Sequence, residues 1–230
     1  MDGYTILRER IRSTVVPKGL GLVNPWQHPW IRNRWHRDFG KLAEATNDLD
    51  LLLTRKMIFF LDYWHLNGLV KNQDQAAKGF KPAETPFESI IPSLGLEQYM
   101  RHNFVPFIKD TPRAADAPSD DAMRFCLPFA AAMIEAQCTQ VLAVTNFTVL
   151  NLLMSRYGVR KAVTFRDAVF DGPVTLPNAQ KTKVVAVYHP GHNGQMSCWN
   201  EYRRRGLERP ASMRDLLIQD YRQRLESVAH

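Results

Sequence analysis

Cysteine and long apolar runs are both scarce in this chain of 230 residues. Its three cysteines, Cys126, Cys138 and Cys198, are too few and too scattered for a disulfide framework or a four-cysteine zinc or iron–sulfur site. We therefore expect a reducing, cytoplasmic setting. The longest apolar run, residues 127–134, is much shorter than the ~18 residues of a membrane span. Residues 1–12 lack the apolar core of a secretory signal, so we expect no membrane partner.

Several common catalytic and nucleotide-binding motifs are also absent. The chain has no P-loop, no Gly-x-Gly-x-x-Gly and no Gly-x-Ser-x-Gly, which gives an unrelated α/β hydrolase or nucleotide enzyme little support. Its seven histidines include no pair spaced i, i+4, the spacing by which one helix face holds a metal ion. We therefore predict neither a metal site nor a cofactor.

Positive charge is concentrated at the two ends of the chain. Residues 1–40 carry 7 basic and 3 acidic side chains, residues 181–230 carry 9 and 5, and the middle carries 14 and 15. If the two ends meet in the fold, they form one positive surface that suits a polyphosphate partner such as nucleic acid. The alternative is an ordinary basic surface, which the net charge of +7 also allows.

Apolar periodicity predicts alternating strands and helices. Three of the four predicted strands are continuously apolar, a pattern typical of a parallel sheet covered on both faces. We predict a single α/β domain over residues 1–230, with ligands beyond the carboxyl ends of the strands. The predicted strands are 19–23, 56–61, 140–144 and 183–188, and the predicted helices are 3–13, 39–53, 120–137 with a kink or break at Pro128, 147–157, 197–206 and 212–227.

A polar side chain followed by proline ends the first and the last predicted strand. These pairs are Asn24-Pro25 and His189-Pro190. Proline stiffens each turn and holds the residue before it extended, so that one side chain is fixed in space. The amide of Asn24 can orient a water molecule, and His189 can donate a hydrogen bond to a developing oxyanion. Each pair taken alone is also typical of a plain turn.

The order and spacing of these motifs resemble the uracil-DNA glycosylase superfamily, especially its mismatch-specific and single-strand-selective branches. Residues 21–25, Gly-Leu-Val-Asn-Pro, resemble the first motif of the family with one extra residue between the glycine and the asparagine. Residues 189–193, His-Pro-Gly-His-Asn, resemble the second motif. Residues 28–35, and the predicted helix and strand between 126 and 144, extend the resemblance over most of the chain.

This resemblance implies a three-layer α/β sandwich with a central, largely parallel four-stranded sheet. It implies a monofunctional DNA N-glycosylase that flips a base out of double-stranded DNA and hydrolyses its N-glycosidic bond without metal or cofactor. Asn24 would hold the attacking water, and His189 would stabilise negative charge on the departing base. We expect the protein to act as a monomer.

The resemblance also places DNA contacts after the second motif. A loop there would fill the space that the flipped base leaves, with His192, Asn193 or Gln195 as the wedge; it consists of Gly191, His192, Asn193, Gly194 and Gln195. Three consecutive arginines that follow would hold phosphates, although such a run is equally typical of a solvated helix face; they are Arg203, Arg204 and Arg205.

The identity of the base depends on residues near the first two strands. A ring after the first motif would stack on the base, and the second strand ends at Asp62, where uracil readers carry an asparagine. An ionised aspartate would repel O4 of uracil but accept from the amino group of cytosine. We therefore predict a modified cytosine, such as a hydroxymethylated or glucosylated phage base, and a role in anti-phage defence or DNA repair. The candidate rings are Trp26, Trp30, Trp35 and Phe39.

Two alternative functions remain open at this point: a uracil or mismatch repair glycosylase, and a catalytically inactive DNA-binding domain on the same fold. A separate alternative is that Asp62 caps a turn and touches no base.

Overall fold

The computed structural model of the protein describes residues 3–24, 27, 57–61, 64–65, 99–103, 105–109 and 118–229. The protein has a mixed α/β fold. The described helices are α1 (Gly3–Ser13), α2 (Asp120–Ala136), α3 (Phe147–Arg156), α4 (Phe165–Phe170), α5 (His192–Arg204) and α6 (Met213–Ala229). The described strands are β1 (Leu22–Val23), β2 (Met57–Leu61), β3 (Trp64–His65), β4 (Tyr99–Asn103), β5 (Ile108–Lys109), β6 (Val141–Val144), β7 (Val174–Thr175) and β8 (Lys183–Ala186).

The chain divides into two compact units. The first contains α1, β1, β3, β5 and α2, and the second contains β2, β6, β7, β8 and the helices α3 to α6. The strand β4 is divided between them after residue 101. Compactness alone does not define a domain, so the single domain over residues 1–230 stays a prediction.

The second unit is built on a five-stranded sheet with the order β4-β2-β6-β8-β7. The strands β2, β6 and β8 run parallel, with Met57 opposite Val141 and Val141 opposite Lys183, whereas β7 runs antiparallel to β8. All of β6 is buried, because α3 and α6 pack against it. The apolar strands predicted at 56–61, 140–144 and 183–188 are confirmed as parallel neighbours, since a strand covered on both faces needs no polar side.

The first unit carries a separate three-stranded sheet with the order β1-β5-β3. The strand β1 runs antiparallel to β5, with Leu22 opposite Lys109. The prediction that the strands before Asn24 and His189 belong to one sheet is therefore wrong. Gly19 and Gly21 have φ values of 93° and 62°, so the predicted strand at 19–23 shrinks to two residues. An apolar run this short carries no information about its partner strand.

Helices α1 and α2 pack against each other in the first unit. Leu7 of α1 is buried, and Phe107 packs against Phe125 and Phe129 of α2 with ring centroids 5.7 and 5.4 Å away. Helix α2 continues through Pro128, so of the predicted kink or break the break is wrong and the kink stays a prediction. Pro128 lies on the exposed side of the helix, where its missing N–H removes one helical hydrogen bond without ending the helix.

The predicted helices at 3–13, 147–157 and 212–227 are confirmed, whereas the one at 39–53 lies outside the described residues. The sequence pattern does not predict α4 or β7, because elements of six and two residues show no periodicity. Helix α4 begins at a local cap instead, since the Thr164 hydroxyl accepts a hydrogen bond from the Asp167 N–H at 3.0 Å. None of the described helices has the length and hydropathy to span a bilayer.

Candidate functional site

A cavity of about 470 Å³ opens at the carboxyl ends of β6 and β8 in the second unit. Thr145 enters it directly after β6, and Tyr188 and His189 enter it after β8. Ligands of parallel α/β sheets bind at this edge, so the cavity lies where the sequence predicts a site. Helix α4 contributes Phe165 and Arg166, and α5 contributes Asn193, Gly194, Ser197, Asn200, Glu201 and Arg204.

The ring of His189 is held in one orientation by the backbone that follows it. The Gly191 N–H donates a hydrogen bond to Nδ1 of His189 at 2.9 Å. A nitrogen that accepts a hydrogen bond carries no proton, so the neutral ring has its proton on Nε2. His189 is exposed and lines the cavity. The Nε2–H group is therefore a hydrogen-bond donor of fixed direction.

The strand end that carries His189 is anchored on both sides. The Val187 N–H donates to the Val144 carbonyl at 2.9 Å, which extends the parallel pairing beyond β8. The buried Tyr221 hydroxyl of α6 donates to the carbonyl of Tyr188. The Tyr188 ring meets Phe165 edge to face at 6.1 Å, and burial raises the pKa of its phenol. Tyr188 therefore stays neutral and acts as a wall of the cavity.

Helix α5 begins directly against the backbone of His189. A Cβ on Gly194 would lie 2.7 Å from the His189 carbonyl carbon and 2.8 Å from its nitrogen, and would overlap the carbonyl oxygen. Only glycine allows this approach. The prediction of a loop at residues 191–195 is therefore wrong: α5 starts at His192, five residues earlier than the predicted helix at 197–206.

The three predicted wedge residues differ in their surroundings. His192 and Asn193 are exposed in the first turn of α5, and Asn193 also lines the cavity. Gln195 is instead half-buried, and its Nε2 donates to the carbonyl of Pro190 at 2.9 Å. A wedge must leave its resting contacts to enter a duplex, so His192 and Asn193 are the better placed candidates.

A buried carboxylate organises the basic residues around the cavity. The Glu201 side chain is 5% exposed, and its oxygens lie 2.6 Å from Nε of Arg205, 3.0 Å from Arg204 and 3.7 Å from Arg166. Of the three arginines predicted to hold phosphates, Arg204 lines this cavity. Arg205 packs its guanidinium over the Phe170 ring at 3.9 Å, and Arg203 is exposed on α5.

Asn24 belongs to the first unit and makes structural contacts there. Its side chain is buried, and Nδ2 donates to the carbonyls of Ile11 at 2.9 Å, Arg12 at 3.2 Å and Thr14 at 2.8 Å. These carbonyls lie at the end of α1, where the helix itself supplies no donors. The role of Asn24 in holding water stays a prediction, and such a water would have to use its Oδ1 atom.

The remaining predicted substrate-binding residues lie outside the described residues; they are Trp26, Trp30, Trp35, Phe39 and Asp62. Sequence reasoning misses most of the cavity wall. Thr145 is not among the predicted residues, although it follows an apolar strand just as His189 does, and this signal could have identified it. On α5, the spacing of residues 193, 197, 200, 201 and 204 describes one helix face, but only once the helix is known to begin at His192.

Comparison with known proteins adds no assignment, since neither a protein-family model nor a curated protein matches this chain. Within the part of the chain that the structure describes, no group of three His, Cys, Asp or Glu side chains is placed to hold a metal ion. The three cysteines are free thiols, with Cys126 and Cys198 buried and Cys138 exposed. The resemblance to DNA glycosylases therefore remains a hypothesis that depends on motifs and on the cavity beside His189.

Proposed function

We propose that this protein is a DNA glycosylase that flips a base out of DNA and hydrolyses its N-glycosidic bond, leaving an abasic site. The observation that carries the proposal is the hydrogen bond from the Gly191 N–H to Nδ1 of His189. It leaves Nε2–H as the donor of a side chain that lines a cavity at the carboxyl edge of a parallel sheet. A leaving base needs such a donor, because its oxygen gains negative charge as the bond breaks.

The cavity also offers the surfaces that a flipped base requires. A base must leave the helical stack before its glycosidic bond can be reached, and it is then held by stacking and by hydrogen bonds to its edge. Phe165 supplies an aromatic wall, and Asn200 and Ser197 supply polar groups. One preorganised donor to a developing oxyanion contributes about 3–4 kcal/mol to such reactions.

The base is proposed to be a modified cytosine, such as hydroxymethylcytosine or its glucosylated form, and the role anti-phage defence. The support is Asp62, which as an acceptor would favour the cytosine amino group over O4 of uracil. A uracil or mismatch repair glycosylase is the alternative if another residue reads the base.

The finer features of the family belong to the same proposal. They are a three-layer sandwich around the largely parallel sheet, which has five described strands rather than the four that the resemblance implies, a monomer that binds double-stranded DNA, and a location in the cytoplasm. The parallel arrangement of β2, β6 and β8 supports the first of these. The net charge of +7 supports a nucleic-acid partner.

One observation favours a second candidate, a DNA-binding domain without catalytic activity. The Asn24 amide donates to the carbonyls of Ile11, in α1, and of Thr14, directly after it, so this residue has a structural role that needs no substrate. A protein of this kind would bind DNA, and neither the parent nor its Asn24→Ala variant would generate any abasic product.

A panel of modified DNAs tests the proposal. Duplexes that carry one uracil, cytosine, hydroxymethylcytosine or glucosylated hydroxymethylcytosine are incubated with the protein and then treated with alkali, which cleaves the strand at abasic sites. We expect cleavage at a modified cytosine. Cleavage at uracil alone would refute the Asp62 argument, and binding without cleavage of any duplex would favour the inactive domain.

A further inference from the structure

The guanidinium of Arg166 lies beside two carboxylates without a hydrogen bond to either. Its Nε is 3.7 Å from Glu201 and 4.0 Å from Asp167, and neither distance is that of a hydrogen bond. The carboxylates have closer partners, since Arg205 lies 2.6 Å from Glu201 and the Thr164 hydroxyl donates to Asp167 at 2.6 Å. Arg166 is thus paired with these carboxylates by charge, while neither of them accepts a hydrogen bond from its guanidinium.

Arg166 is accessible at the wall of the cavity. Its side chain is 47% exposed, and it lines the same cavity as His189. Arg204, which also lines the cavity, donates to Glu201 at 3.0 Å. The arginines that line the cavity are Arg166 and Arg204 and the carboxylate that lines it is Glu201, which leaves an excess of positive charge at the rim. Such an excess at the rim of a cavity attracts an anion.

The first turn of α5 adds to this potential. Its N-cap, Gly191, makes no side-chain capping bond, and the turn contains no acidic residue. Asn193 and Gly194 of this turn line the cavity. Because the first N–H groups of a helix have no partner within it, they favour negative charge nearby.

We propose that Arg166, positioned by the buried carboxylate of Glu201, binds a backbone phosphodiester of the DNA strand whose base occupies the His189 cavity. The planar guanidinium offers paired donors that match two phosphate oxygens. This inference rests on the proposed function, since it takes DNA as the polymer that enters the cavity. It also moves the main phosphate contact from Arg203, Arg204 and Arg205, which the sequence predicts, to a residue of α4.

Salt dependence of DNA binding tests the contact without requiring catalysis. The affinity of a fluorescent duplex is measured by anisotropy over a range of salt concentrations for the wild type, Arg166→Ala and Arg156→Ala. Arg156 is an exposed arginine of the same unit that does not line the cavity, so it controls for loss of charge. We expect the slope of log affinity against log salt to fall by about 0.9 for Arg166→Ala, the value for one phosphate. Equal slopes for Arg166→Ala and the wild type would overturn the proposal.

A neutral phosphate analogue locates the contact. Single methylphosphonates are placed at successive positions around the target base, and one position is expected to weaken binding by the wild type. The same substitution should have no effect on Arg166→Ala, because the two changes remove the same interaction. Glu201→Gln keeps the shape of the side chain but removes its charge. We expect this variant to show a smaller loss of affinity than the wild type at the sensitive methylphosphonate position. If every position affects Arg166→Ala as it affects the wild type, the proposal is wrong.

Two further arms separate this inference from the proposed function. If no duplex of the panel yields abasic sites but the methylphosphonate effect still depends on Arg166, the phosphate site stands and the glycosylase does not. If abasic sites form but Arg166→Ala binds with an unchanged slope, the glycosylase stands and the phosphate site does not. A third result would overturn the proposal. Inorganic phosphate would displace the duplex from the wild type but not from Arg166→Ala, and no methylphosphonate position would weaken binding. Arg166 would then belong to a site for a free anion.

Discussion

Gly194→Ala is the substitution for which the structure gives the sharpest expectation. The new methyl group would lie 2.7 Å from the carbonyl carbon and 2.8 Å from the nitrogen of His189. Ordinary contacts between carbon atoms begin at about 3.5 Å, so the carbonyl carbon alone requires a separation of roughly 0.8 Å between the backbones of α5 and His189, and the overlap with the carbonyl oxygen requires more. The clashing atoms are backbone atoms, which cannot rotate away as a side chain can.

The elements on both sides of this contact resist the separation. Helix α5 is anchored by buried Cys198 and Tyr202, whose hydroxyl donates to Asp220 of α6 at 2.9 Å. His189 is anchored through Tyr188, which accepts from Tyr221 of the same helix. Overpacking of this kind lowers the free energy of unfolding by about 3 kcal/mol. The variant should also lose activity, because the Gly191 N–H that orients His189 lies in the same turn.

The free energy of unfolding is measured in urea with circular dichroism as the signal, and Gly158→Ala provides the control. Gly158 has a φ of 69° and open space around it, so alanine there meets only the strain of the left-handed conformation, about 1–2 kcal/mol. We expect Gly194→Ala to destabilise the protein clearly more than Gly158→Ala. If Gly194→Ala is as stable as the wild type, the close approach of α5 to His189 is wrong, and with it the fixed geometry of the site.

Three further predictions concern the two units separately. Asn24→Ala should lower the free energy of unfolding by about 2 kcal/mol, measured in urea, because the carbonyls of Ile11 and Thr14 lose this donor, while that of Arg12 still accepts from Gln27; an unchanged midpoint would contradict this role. Tyr221→Phe should cost about 1–3 kcal/mol, since it leaves the Tyr188 carbonyl buried without this donor, and a neutral effect on the melting temperature would argue against the anchor. Burial raises the pKa of the Cys198 thiol above its usual 9.0, so the folded state keeps a proton that the unfolded state releases. Unfolding free energy should therefore fall as pH rises above about 9, and Cys198→Ala should make this decline shallower by about 1.4 kcal/mol per pH unit; identical pH profiles would exclude the linkage.

Sequence reasoning succeeds here where the relevant physics is local. Continuous apolar runs identify β2, β6 and β8, and proline after His189 marks the strand end that faces the cavity. The same reasoning fails for Leu22–Val23, because the partner of a two-residue strand is chosen by tertiary pairing that no periodicity encodes. An apolar run therefore predicts that a segment is a strand, but it does not predict which strand it pairs with.

The cavity wall is less predictable than the strand ends that open into it. Phe165 and Arg166 come from a six-residue helix that has no periodic signal. Glu201 reads as one more charge on a basic helix, and only its burial among three arginines gives it a special role. The start of α5 at His192 depends on Gly194, whose importance is visible only from the backbone it contacts.

The most direct measurement of the central claim is the rate of base release by the wild type and by His189→Ala under single-turnover conditions. The substrate is the duplex that the wild type cleaves best, at protein concentrations that saturate binding. The account predicts that the rate falls by about 10²–10³-fold in His189→Ala while the affinity for the duplex changes little, because the lost hydrogen bond acts on the departing base. A variant that releases the base as fast as the wild type would show that His189 takes no part in the reaction.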